Sequence, residues 1–91
     1  MTLKIDLAKD AGKFLKKLQK KQSKQIAQKI LALSENPKAQ DVSDLKGSEY
    51  KRADQGEYRI IFEVKNDTLY IVLVGKRNDD DVYKKLSRKN K

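Results

Sequence analysis

The sequence predicts an α+β fold of order β-α-α-β-β-β-α, a helical pair packed on one face of a small, mainly antiparallel sheet. Three observations carry the prediction. Two segments of helical period lie side by side between residues 7 and 34. Three short β-type runs follow between residues 49 and 76. The last two of these, residues 57–65 and 68–76, are separated only by Asn66 and Asp67, a pair suited to a tight hairpin turn.

Leu3 and Ile5 alternate with Lys4 in a short first strand, and Asp6 is placed to cap the helix after it. Leu7, Ala11, Phe14, Leu15 and Leu18 give that helix an apolar stripe to about Gln22. Ser23 is the expected cap of a second helix, whose stripe is Ile26, Ala27, Ile30, Leu31 and Leu33. Asn36 before Pro37 stops it, because the residue preceding proline avoids the helical region. Residues 38–47 read as a polar connector anchored by Val42 and Leu45.

A strand over residues 49–53 comes next, with a turn at residues 54–56. In the following strand, Tyr58, Ile60, Phe62 and Val64 share one face and Arg59, Ile61 and Glu63 the other. Residues 69–74 are apolar on both faces, which predicts a central, well-covered strand ended by Gly75. Asp79, Asp80 and Asp81 suit the first turn of a last helix over residues 80–88, carrying Val82, Tyr83 and Leu86. Residues 87–91 form a basic tail expected to fray.

At 91 residues the chain is expected to form a single domain over residues 1–91. The net charge of +9 and an isoelectric point near 9.8 favour a polyanionic partner. Lysines 9, 13, 16, 17, 20, 21, 24 and 29 crowd the helical pair against Asp10 alone, and a solvated outer face is the plainer reading of them. The sequence has no cysteine and no histidine, so thiolate zinc sites, disulfides and histidine general bases are excluded. No metal site and no cofactor is expected. No apolar run is long enough to cross a bilayer, and the first residues lack the apolar region of a signal peptide, so the expected location is the cytoplasm.

What remains for chemistry is cationic: Lys51, Arg52, Arg59 and Arg77, with Tyr83 six residues after Arg77. The hairpin brings the start of one strand beside the end of the next, so Arg59 and Arg77 are expected to converge. Two converging cations repel unless an anion joins them. Arginine suits phosphate because its planar fork donates two parallel hydrogen bonds. A lysine crowded by cations can act as a base, and a tyrosine can stack on a nucleobase. By composition alone, surface cations at strand ends and a core tyrosine are the plainer reading of the same residues.

The segment LKGSEYKRADQGEYRIIFEV, followed by LYIVLVGKRNDDDVYKKL, resembles the RelE/ParE superfamily of toxin–antitoxin toxins. The pattern is a Leu-Lys/Arg-Gly opening, a basic strand, a G-[DE]-Y-R-[IVL]-[IV]-[FY] strand and a V-G-[KH]-R strand end before a tyrosine-bearing helix. Residues 45–47, 50–52, 56–62, 74–77 and 82–83 supply these parts. Once the first strand and helical pair are counted, the resemblance covers nearly the whole chain.

RelE-type members cut messenger RNA in the ribosomal A site, so the resemblance implies a ribosome-dependent endoribonuclease toxin. In that role Arg59 is expected to contact the scissile phosphate. Arg77 is expected to stabilise charge or protonate the leaving oxygen, and Tyr83 to stack on a messenger base. Lys51 resembles the lysine that serves as base or electrostatic stabiliser, and sliding the register by one puts Arg52 in its place. The family's second basic residue in that strand has no counterpart, since Ala53 or Asp54 stands near its position. Two other readings share the fold: a ParE-like toxin that acts on DNA gyrase, and an inactive basic nucleic-acid-binding module. Either toxin reading implies a cognate antitoxin partner with an acidic segment, in a hetero-oligomer, with messenger RNA and the ribosome as further partners of the first.

Overall fold

A computed structural model describes residues 2–38, 42–45 and 49–76. Seven elements are present among them: β1 (Lys4–Leu7), α1 (Lys9–Lys17), α2 (Lys20–Glu35), β2 (Val42–Asp44), β3 (Lys51–Gln55), β4 (Tyr58–Lys65) and β5 (Thr68–Lys76). The expected α+β arrangement is present, with two helices on one face of a five-stranded sheet ordered β1-β5-β4-β3-β2. The last expected helix, over residues 80–88, lies outside the described residues.

The sheet is mixed. β1 pairs parallel with β5, and the other three pairings are antiparallel. β5 therefore lies between β1 and β4, which accounts for its apolar residues on both faces. The β4–β5 turn is made by Asn66 and Asp67 as expected, with Asn66 at φ 55, a left-handed conformation that asparagine tolerates better than most residues. A register shift between Ile61 and Phe62 marks an irregularity in the β4–β5 ladder.

Alternation along the strands builds two apolar clusters. On the helical side, Ala53, Ile60, Phe62, Leu69, Ile71 and Val74 meet Ala11, Ile26, Ile30 and Leu33. Phe14 and Tyr58 close its margin edge to face, ring centroids 6.0 Å apart and planes at 72°. On the other face, Ile61 and Leu73 are buried beneath Leu45, Tyr50 and Val72. The centre of that face is therefore covered, and the charged positions of β3 and β4 flank it.

Three local expectations are corrected. β1 runs on to Leu7, so Asp6 belongs to the strand; α1 begins after Ala8, with no side-chain cap. The break between the helices falls at Leu18 and Gln19, so Ser23 is inside α2, where its N–H donates to the Gln19 carbonyl at 3.0 Å. The polar connector holds a strand, β2, whose three residues pair with β3. The stop at Asn36 is where expected, and the Asn36 side-chain oxygen accepts the Lys38 N–H across Pro37 at 3.3 Å.

Candidate functional site

The β3–β4 hairpin sorts the predicted cations by face. Its turn is Gly56 and Glu57, with Gly56 at φ +60, and this two-residue connection fixes the register. Asp54 stands opposite Arg59, Arg52 opposite Ile61, and Lys51 opposite Phe62. Phe62 belongs to the helical-side core and Ile61 to the cluster on the other face. Directly opposite residues share a face, so Arg52, Asp54 and Arg59 lie together on the face away from the helices, and Lys51 lies on the helical one. Arg52 and Arg59 are diagonal neighbours across the ladder, a relation that places Cα atoms about 7–8 Å apart.

Lys51 is engaged on its own side. Its Nζ donates to Asp44 Oδ1 of β2 at 2.6 Å, with the two residues also paired in the strand ladder. The structure thus brings Arg52 and Arg59 together and sets Lys51 apart from them. Gly75 is the β5 residue opposite Arg59 and brings no side chain to that flank. Lys76, opposite Tyr58, is exposed. Arg77 and Tyr83 lie outside the described residues.

Arg59 has an anionic neighbour that the sequence reading missed. Its Nε donates to Asp54 Oδ1 at 2.8 Å, and a second guanidinium nitrogen reaches Asp54 Oδ2 at 3.5 Å. The Arg59 side chain is only 14% exposed and that of Asp54 37%. Assigning Asp54 to a turn hid this contact. A two-residue turn at Gly56 and Glu57 puts residues 54 and 59 opposite each other by counting alone.

The chemistry on offer is anion binding. Two guanidiniums on one face suit the oxygens of a phosphodiester. Among the described residues there is no group of three or more metal-ligating side chains. The helical lysines at 9, 13, 16, 17, 20, 21 and 24 are exposed to solvent. A separate cleft of about 340 Å³ lies between the start of α2 and the β3–β4 turn, lined by Lys21, Gln22, Gln25, Gly56, Glu57 and Tyr58. Its Gln22 Oε1 is buried without a hydrogen-bond partner, and the cleft includes none of the predicted site residues.

Residues 5–81 match the family described as the ParE toxin of the type II toxin–antitoxin system, parDE. Similar solved structures include a variant of Escherichia coli toxin RelE in the free state, at 21% identity and a TM-score of 0.82, covering 98% of both chains. The archaeal RelE–RelB complex from Pyrococcus horikoshii contains a chain 26% identical, with 85% of this chain and 97% of that one covered and a TM-score of 0.74. The RelB–RelE antitoxin–toxin complex from Methanococcus jannaschii contains one 28% identical, with 87% and 95% covered and a TM-score of 0.67. No curated protein sequence matches the chain. Among the described residues, no helix is long and apolar enough to cross a membrane.

Proposed function

We propose a function from one premise: the chain belongs to the ParE toxin family of the RelE/ParE superfamily and is a toxin of a type II toxin–antitoxin system. Its activity is ribosome-dependent cleavage of messenger RNA in the A site. The observation that supports this reading over the others is the pair of arginines, Arg52 and Arg59, on one face of the β3–β4 ladder. Gyrase inhibition by binding requires no such phosphate-directed pair.

In the proposed reaction the messenger 2′-hydroxyl gives its proton to water and its oxygen attacks the adjacent phosphorus. The 2′-O–P bond forms and the P–O5′ bond breaks, which leaves a cyclic phosphate and a free 5′-hydroxyl. Negative charge builds on the non-bridging oxygens as the phosphorus becomes pentacoordinate. Arg59, held on the rigid sheet, donates to those oxygens, and donors aimed at developing charge are the most effective form of such stabilisation. Arg52 adds a second fixed positive charge on the same face. A guanidinium offers donors and no acceptor, so its part is electrostatic and not that of a base. Arg77, which follows the last residue of β5 in the sequence, stabilises the charge on the departing 5′-oxygen, which takes up a proton from water, and Tyr83 stacks on a messenger base.

The cognate antitoxin is a RelB-like protein, as in the RelE–RelB complexes of P. horikoshii and M. jannaschii. Its acidic segment meets a chain of net charge +9. A second reading, a ParE-like toxin acting on gyrase, keeps its place because the matching family is described by its ParE members. Induced expression with 5′-end mapping of messengers, run beside a gyrase supercoiling assay, separates the two. Cuts inside translated codons select the first reading. Inhibited gyrase with intact messengers selects the second.

The face assignment ranks two variants. Arg52→Ala is expected to slow cleavage by about 10²-fold, the scale of losing one transition-state donor. Lys51→Ala, which removes the Asp44 contact on the other side of the ladder, is expected to leave the rate within a few-fold. Single-turnover cleavage by the two purified variants tests this, and the reverse ranking would move the site to the helical side.

A further inference from the structure

Arg59 is the residue assigned to the scissile phosphate, yet a carboxylate of the chain itself already lies on it. Asp54 faces it directly across the ladder, with its two oxygens 2.8 and 3.5 Å from two guanidinium nitrogens. Carboxylate and phosphate present the same two-oxygen fork to a guanidinium. We propose that Asp54 sets the affinity of this site for RNA phosphate: it occupies the Nε edge of Arg59, and substrate binds by displacing it. The inference rests on the reading of Arg59 as a phosphate contact and adds a positioning residue that acts through it.

The burial of the two partners says which one moves. The Arg59 side chain is 14% exposed, so its stem is fixed by packing against the sheet. Asp54 is short and 37% exposed, and rotation about its first side-chain bond carries the carboxylate into water. A partly exposed ion pair is weak, so a phosphodiester can replace it without disturbing the strands. The exchange also has an electrostatic signature. In the wild-type chain, Arg59 meets phosphate by giving up an internal anion, so this contact adds little to the release of counterions from the RNA. With Asp54 neutralised, the same contact counts in full.

That difference is measurable with the full-length chain and a single-stranded oligouridylate of about eight nucleotides, titrated by fluorescence anisotropy from about 0.05 to 0.3 M salt. At about 0.7 of a counterion per phosphate contact, Asp54→Asn is expected to bind about fourfold tighter near 0.15 M salt and about eightfold tighter near 0.05 M. Its plot of log affinity against log salt should be steeper by about 0.7. Asp54→Ser should do the same, so impaired folding of one variant does not remove the test.

Asp67→Asn, at the β4–β5 turn, is the charge-matched control. It lies about six strand residues from Arg59, or about 20 Å, and charges that far apart on a surface are screened. In an Arg59→Gln background, Asp54→Asn should gain no more than this control does. The proposal is overturned if Asp54→Asn matches Asp67→Asn, or if its gain survives the loss of Arg59. Messenger mapping on the wild type is scored independently. Intact messengers beside the expected binding pattern would sink the nuclease reading and leave the role of Asp54 standing. Cut messengers without that pattern would sink the role of Asp54 alone.

Discussion

Arg59→Ala is expected to lower messenger cleavage by about 10²- to 10³-fold and to leave the protein folded. The loss follows from where the guanidinium is held. It extends from the middle of a three-strand ladder, with β3 on one side and β5 on the other, and its stem is fixed by packing. A donor fixed in advance needs no reorganisation as charge develops on the phosphate, and its loss raises the barrier directly. Folding should survive, because the carboxylate left behind on Asp54 is partly exposed and can hydrate. Arg77→Ala is expected to fall in the same range by its assigned role at the leaving oxygen. Growth arrest on induction and cleavage by the purified variants are the readouts. A doubly substituted Arg59→Ala/Arg77→Ala protein that still cuts messenger normally would remove both residues from the mechanism.

Phe62→Ala is expected to be the most damaging single change to the fold, at about 3–5 kcal/mol. Phe62 is fully buried, the largest such side chain among the described residues, and it lies between the sheet and the helical pair. Small domains are stable by only about 5–15 kcal/mol in total, so the variant would be near the edge of folding. For a chain of this size each kcal/mol moves the midpoint by about 4–8 °C, and the expected drop is therefore at least about 12 °C. Urea titration followed by circular dichroism measures it. A loss under about 1 kcal/mol would mean that the helical-side core closes around the gap and that Phe62 is not its centre.

The hairpin and its neighbours were legible because their signals are local. Asn66 and Asp67 mark a turn by residue type, and the run of apolar residues through β5 announced a strand covered on both faces. The helix break was not legible. Leu15 and Leu18 continue the apolar stripe up to the break itself, and Ser23 imitates a cap one turn too late. β2 was hidden because three residues, Val42, Ser43 and Asp44, are too few for a periodic signal; their strand character comes from pairing with β3.

The site shows the same division. That arginine suits phosphate is a property of the side chain, and it pointed to Arg52, Arg59 and Arg77, the last of which lies outside the described residues. Which of Lys51 and Arg52 shares a face with Arg59 is a matter of register, set by the Gly56–Glu57 turn, and a turn at residues 54–56 leaves it open. The same misplacement concealed Asp54. The repulsion expected of clustered cations is relieved at Arg59 from within the chain, by the residue directly across the strand.

The most direct test of the central claim is the cleavage of a defined messenger on programmed ribosomes by the purified chain, with the 5′ ends of the products mapped. Cuts within the A-site codon, a cyclic phosphate on the upstream fragment, and a rate at least about 10²-fold lower for Arg59→Ala are expected. An intact messenger in the presence of a folded chain that blocks gyrase supercoiling would contradict it.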